Sequence, residues 1–101
     1  MILVIIRMKV VSEKCLELSH TIVLMILSIR TEKGCQRCDF CQSFEDENRL
    51  FLLEEWDTQG YLMSHLKSGR FRVFHGSMNL LKEPYEVMFH TVFHPEGMEE
   101  I

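Results

Sequence analysis

Arg49-Leu50-Phe51-Leu52-Leu53-Glu54-Glu55-Trp56 is the stretch on which the fold turns. Successive side chains of a strand point to opposite faces, so Leu50 and Leu52 share one face while Phe51 and Leu53 share the other. A strand that is apolar on both parities is one covered on both sides. Ile2 to Val10 reads the same way, β-branched and apolar on both parities. A chain of 101 residues forms one domain. At 47% hydrophobic residues it is no disordered chain, and two Pro and five Gly exclude collagen-like and low-complexity classes. A domain this small fully buries only a modest share of its residues. Seven Phe, seven Met and one Trp therefore exceed what one core can hide, so a ligand cavity or a second subunit takes up the excess.

Working outward from these strands, Ser12 is placed to cap a helix, with Glu13 in its first turn. Cys15, Leu18, Ile22, Met25, Ile26 and Ile29 then recur at helical spacing, and Leu24 and Leu27 widen the apolar surface beyond one face. Gly34 is expected to end this helix through a left-handed cap. Cys35 to Phe44 reads as the second strand, and Glu45-Asp46-Glu47-Asn48 as a hairpin connection into the third. Asp57 or Thr58 caps a short helix through about Lys67, and Ser68 caps another through about Leu81. Pro84 separates this from a last strand, Tyr85 to Phe93. The order β-α-β-β-α-α-β predicts an α+β, ferredoxin-like sandwich over residues 1–94, with a C-terminal tail over 95–101. In that fold a four-stranded antiparallel sheet carries its helices on one face. The other face stays apolar and open, which predicts a homodimer closed face to face through it.

The ends and the cysteines narrow the class. Met1 to Ile6 is apolar but short, has no basic stretch before it and is followed by Arg7 and Lys9, so no targeting segment is expected. Thr21 to Ile29 is far below the ~20 residues of a membrane span, and a cytoplasmic protein without membrane partners is expected. Eleven basic against fifteen acidic residues argue against nucleic acid as a partner. Cys35-x-x-Cys38-x-x-Cys41 has metal-like spacing, but no second pair supplies a fourth ligand. On a strand, Cys35 and Cys41 would share one face and Cys38 take the other. Free thiols are expected, and no metal. His90 and His94 fall on one face of the last strand with Met88 and Val92, roughly 13 Å apart, at the sheet interface or edge. No P-loop, GxSxG or HExxH is present.

Three short stretches carry a family likeness. Gly34-Cys35-Gln36-Arg37-Cys38-Asp39 resembles the "GC-x-x-Y-D" start of the second strand in antibiotic biosynthesis monooxygenase domains. Glu54-Glu55-Trp56 resembles their "YEEW" end of the third strand. His65-Leu66-Lys67-Ser68-Gly69-Arg70-Phe71 resembles their "HL-x-S-x-x-F" helix junction. The chain departs from these patterns at Cys38 and Leu53, where the motifs usually have Tyr, and at Gly69-Arg70, a common Pro-His. The resemblance implies a dimeric α+β barrel. It also implies an activity in the range of cofactor-independent oxygenases acting on quinols and polycyclic phenols, with no cofactor, a small aromatic substrate and O2. Heme-degrading relatives carry an axial His at the position of His75, but have Asn where this chain has Ile6. A dimeric module that binds a ligand or serves structure without catalysis is the alternative on the same fold.

Cofactor-free oxygenation needs a site that binds an aromatic ring, removes a proton and excludes water. His65 is the expected proton-handling group, because imidazole titrates near neutral pH; the alternative is a structural His whose ring caps a helix end or bonds a carbonyl. Trp56 is expected to stack on a ring or donate its indole N–H; the plain alternative is a core tryptophan. Phe40, Phe71, Phe74, His75 and Met78, with Phe44, are the expected pocket lining. A plain core role is the alternative for the Phe and Met side chains, and a partly exposed helix residue for His75.

Overall fold

The computed structural model describes residues 1–93; His94 and the expected tail, 95–101, lie outside them. In chain order it holds strand β1 (Ile2–Lys9), a 3-10 turn (Ser12–Lys14), helix α1 (Cys15–Ile29), strands β2 (Cys35–Gln42) and β3 (Arg49–Trp56), helices α2 (Gln59–Leu66) and α3 (Gly69–Gly76), a second 3-10 turn (Ser77–Leu80) and strand β4 (Glu86–Thr91). The strands form one antiparallel sheet in the order β2-β3-β1-β4. This is the α+β, ferredoxin-like architecture that the element order predicts.

Parity sets where the core lies. Val4, Ile6 and Met8 of β1 and Leu50, Leu52, Glu54 and Trp56 of β3 are buried. They pack with Leu18, Ile22, Ile26 and Ile29 of α1, Leu62 of α2 and Phe74 of α3. Each buried Val, Leu, Ile, Phe or Met side chain contributes roughly 1.5–3 kcal/mol. The opposite parity forms the open face, where Ile5 pairs with Leu53 on one side and Met88 on the other. Leu3, Ile5, Phe51, Leu53 and Met88 are half-buried there, without a helix over them.

Besides β2, which stops at Gln42 rather than Phe44, and β4, which spans Glu86–Thr91 rather than Tyr85 to Phe93, four details differ from the sequence expectation. Ser12 caps no helix: neither the 3-10 turn nor α1 has a side-chain cap bond. Ser12 Oγ instead accepts from Asn48 Nδ2 at 2.8 Å, tying this turn to the β2–β3 connection. Gly34 is left-handed, with φ +87°, but α1 has already ended at Ile29 with right-handed Arg30 as its cap. Glycine is required at 34 for a different reason: a Cβ would run into the Tyr61 ring of α2. The helix starting after Ser68 breaks at Gly76 into the 3-10 turn rather than running to Leu81. The fourth detail concerns β2. A β-bulge between Cys35 and Arg37 leaves Cys35 opposite Trp56 and Arg37 opposite Glu55. The extra residue, Gln36, puts Cys35 on the helix face with Cys38, while Cys41 opposite Phe51 lies on the open face. All four cysteines are free. No helix of the described residues is long and apolar enough to cross a membrane.

Candidate functional site

The site grows from the end of β3. Glu54 and Trp56 are two residues apart on one strand, so both point toward the helices. Thr58 turns the chain directly into α2, its side chain accepting from the Tyr61 N–H at 3.2 Å. That start aims the last turn of α2 back over the strand end, and His65 lands on Trp56. The two rings stack with centroids 4.7 Å apart and planes at 28°. Glu54, Trp56 and His65 are all fully buried.

A buried imidazole needs partners at both nitrogens. His65 Nδ1 lies 3.0 and 3.1 Å from the two carboxylate oxygens of Glu32, in the turn after α1. With an acceptor-only carboxylate on that side, Nδ1 carries the proton and donates it. Arg70 Nη1 holds Glu32 from the other side at 3.7 Å, and Arg70 Nε donates to Ser28 Oγ. Nε2 of His65 is left with its lone pair turned inward. It stands 3.5 Å from Glu54 Oε1 and makes no hydrogen bond among the described residues. Glu54 Oε1 accepts from the Trp56 indole N–H at 2.8 Å.

Burial pushes the Glu54 carboxyl above the ordinary carboxylate range; His65 and the Trp56 N–H oppose this, and the Glu32 charge adds to it. Glu54 and His65 thus stand side by side in a dry place. The arrangement is a histidine oriented by one carboxylate, with its second nitrogen beside a carboxyl that burial keeps basic. That is the constellation of a general base with a proton store behind it. The thiols nearby are not equipped as nucleophiles. Burial, and then the Glu54 charge, raise the Cys38 thiol beyond any working range, and Cys35 is pushed up to about 11.

Phe71 meets His65 edge-on at 5.8 Å, and a row of rings continues through Phe74 at 5.9 Å to Tyr85 at 6.1 Å. His75 closes the row, exposed, its Nδ1 3.0 Å from the Tyr85 hydroxyl. The fold therefore brings Trp56, His65, Phe71, Phe74 and His75 into one continuous row of rings. Phe40 and Met78 pack half-buried against the core, and Phe44 stands fully exposed in the β2–β3 connection. Glu32, Glu54, Arg70 and Tyr85 are the members that sequence reasoning missed. For Glu54 a signal existed, a carboxylate on the core parity of β3, flanked by Leu52 and Trp56 on the same face. For Glu32, in a turn, there was none.

Four clefts on the surface of the described residues have walls without Trp56, Glu54 or His65. Two of them adjoin the buried site: one along β2, with Cys35 and Cys38, the cross-strand partners of Trp56 and Glu54, in its wall, and one between α2 and β4, with a volume of about 380 Å3 and Ile2, Leu62, Leu66 and Phe89 in its wall. Ile2 is the direct cross-strand partner of Trp56, and Leu62 and Leu66 bracket His65 on α2. The α2–β4 cleft and the buried site share that wall.

A family model described as antibiotic biosynthesis monooxygenase matches residues 1–77. No curated protein matches the chain. Among solved structures it is similar to a conserved protein from Methanosarcina mazei, with TM-score 0.84 and 27% identity over 88% of this chain and 89% of that one. A candidate antibiotic biosynthesis monooxygenase from Nitrosomonas europaea superposes with TM-score 0.88 at 19% identity, over 93% of this chain and 100% of the other. Another from Deinococcus radiodurans gives 0.85 at 17% identity, over 93% and 94%. These last two likenesses show the shared fold.

Proposed function

The chain belongs to the antibiotic biosynthesis monooxygenase family, and from that premise we propose that it is a cofactor-independent monooxygenase of a quinol or similar aromatic phenol. The observation that carries this reading is His65: Nδ1 is tied to Glu32, and Nε2 lies buried without a hydrogen bond, beside Trp56 and Glu54. In the proposed step Nε2 takes the phenol proton, and Glu32 and Glu54 stabilise the resulting imidazolium. The phenolate passes one electron to O2, the two radicals combine at a ring carbon, Nε2 returns its proton to the peroxide, and loss of water breaks the O–O and C–H bonds to leave a carbonyl. In balance, a phenol and O2 give a quinone and water. The substrate ring enters from the α2–β4 cleft, whose volume lies within the range of about 300–1,000 Å3 usual for small-molecule sites. Ile2 and Leu62 move aside to admit it to Trp56. The working unit is a homodimer closed through Leu3, Ile5, Phe51, Leu53 and Met88.

Oxygen consumption with a panel of hydroquinones and naphthols tests the proposal. The wild-type protein consumes O2 in proportion to its concentration, and His65→Gln lowers the rate by about 10²-fold or more while remaining folded. A folded protein with no protein-dependent uptake on any member of the panel ends the enzymatic reading. Full burial of Trp56, Glu54 and His65 favours a second reading, a ligand-binding module without catalysis. Trp56 is the single tryptophan of the chain. Quenching of its fluorescence by the same compounds without oxygen uptake would establish that alternative.

A further inference from the structure

Glu32 orients His65, yet nothing in its own segment holds its side chain. It stands between α1, which ends at Ile29, and β2, which begins at Cys35. Its N–H donates to the Ile29 carbonyl at 3.0 Å and its carbonyl accepts from the Cys35 N–H at 3.1 Å, so the main chain is fixed while the side chain keeps its own rotations. The cations next to it in sequence are turned elsewhere. Arg30 is bonded to the Cys38 carbonyl and Asp39, and Lys33 lies over the Tyr61 ring. Among the described residues, Arg70 is the one Arg or Lys that forms an ion pair with the Glu32 carboxylate. Arg70 sits in the first turn of α3, which carries no acidic residue. A cation at a helix N-terminus opposes the dipole, so local electrostatics do not account for it there. Its partners come from far away in the chain. Nε donates to Ser28 Oγ in the last turn of α1, and Nη1 lies 3.7 Å from Glu32 Oε2. The guanidinium is planar and its N–H groups point in a fixed fork, so anchoring Nε sets where Nη1 points.

We propose that Arg70 is a positioning residue for His65: anchored on Ser28, it holds the Glu32 carboxylate against Nδ1 and so decides which nitrogen of the imidazole carries the proton. Its role rests on the general-base chemistry proposed above for His65. Two carboxyl groups flank this one ring, Glu32 at Nδ1, 3.0 Å away, and Glu54 at Nε2, 3.5 Å away. Trp56 stacks on it and Phe71 meets it edge-on, and neither offers it an acceptor. A neutral imidazole has one N–H to give. Given to Glu32, it leaves Nε2 a lone pair able to take a proton. Given to Glu54, it blocks Nε2, and the ring is no base on that side. The carboxylate of Glu32 has lone pairs enough for Arg70 and His65 together. The Glu32 side chain is 12% exposed and that of Arg70 45%, so the pair stands at the edge of the buried site. Without Arg70, Glu32 turns toward water and the proton moves to the Glu54 side.

Imidazole nitrogen-15 NMR of the labelled full chain at pH 8, without substrate, reads the tautomer directly, and the spectrum of His65→Gln identifies the His65 signals. The wild type shows a protonated Nδ1 and a bare Nε2. In Arg70→Met the proton sits on Nε2 in most molecules. Circular dichroism and the thermal midpoint stay at wild-type values, because a half-exposed ion pair contributes little and a cation leaves the helix N-terminus. A role in packing alone would move the melt and leave the tautomer. Ser28→Ala, which frees Nε, shifts the tautomer in the same direction to a smaller extent, and it carries the test if Arg70→Met does not fold. In oxygen uptake on a hydroquinone, Arg70→Met lowers kcat by about tenfold with KM unchanged, since the missing group acts through His65 and not on the substrate. A wild type protonated on Nε2, or the wild-type tautomer in both variants, overturns the proposal. The NMR arm needs no turnover. A tautomer that shifts in a protein without oxygen uptake supports the role of Arg70 and ends only the enzymatic reading.

Discussion

A carboxyl group buried in the face of a central strand is expensive unless it is bonded, and Glu54 is bonded on one oxygen, by the Trp56 N–H. Its folded pKa stands above the unfolded one, so the folded state holds the proton more tightly. Stability is then fully present below the unfolded value and is lost as pH rises through the folded one. Glu54→Gln keeps an oxygen to accept from Trp56 and removes the charge. Thermal melts are expected to show this variant more stable than the wild type at pH 8, by about 1 kcal/mol, and no more stable at pH 4. Parallel pH profiles for the two proteins would refute that account. His65→Ala strands two carboxylates in a closed space, and a loss of about 3 kcal/mol in urea unfolding is expected. Trp56 and His65 were each legible as motif residues on adjoining elements, but their stacking was not. The Glu32 partner was not, because it comes from a turn thirty-three residues away that carries no periodic signal.

At the level of elements, periodicity located what periodicity controls. β3 runs from Arg49 to Trp56 as the alternating parity indicates, and β1 loses one residue of the expected stretch, ending at Lys9. The faces of β2 were misread because the two-residue repeat assumes a regular ladder, and the bulge at Gln36 breaks it. Caps were legible where a hydroxyl meets a free N–H. Thr58 and Ser68 each accept at 3.2 Å from the N–H three residues on. Ser12 fails because Asn48 competes for its hydroxyl. Ser68→Ala is expected to lower stability by about 1 kcal/mol, read as a shifted urea midpoint with unchanged slope. Gly34→Ala is expected to cost more, about 2 kcal/mol or above, from the left-handed backbone and the Tyr61 ring together. A variant as stable as the wild type would show that the ring moves away freely.

For the molecule as a whole, the two apolar parities of β1 and β3 were the most informative feature of the chain. One parity is the observed core, and the other is the open face. Light scattering of the purified protein is expected to give at least twice 12.0 kDa. Leu53→Glu places charge at the middle of that face and is expected to abolish the sheet-face contact. A stable mass near 12.0 kDa for the wild type at high concentration would refute the sheet-face dimer.

The extra residue in β2 has an effect out of proportion to its size. Since side chains alternate every second position, one inserted residue is a shift of half a period. From Gln42 back to Arg37 the strand runs in one phase, and before it in the other. Were the bulge pulled straight, with Gln36 taken into the ladder opposite Trp56, the strand would stay intact as a ribbon but everything ahead of Gln36 would exchange faces. Cys35 would swing to the open side, Trp56 would lose the neighbour opposite it, and the Gly34 carbonyl, which accepts from the Asp57 N–H at 2.8 Å, would turn away from it. The turn bearing Glu32 would be delivered out of step with His65. The catalytic geometry proposed here thus depends on a phase, set by a residue that touches none of its members.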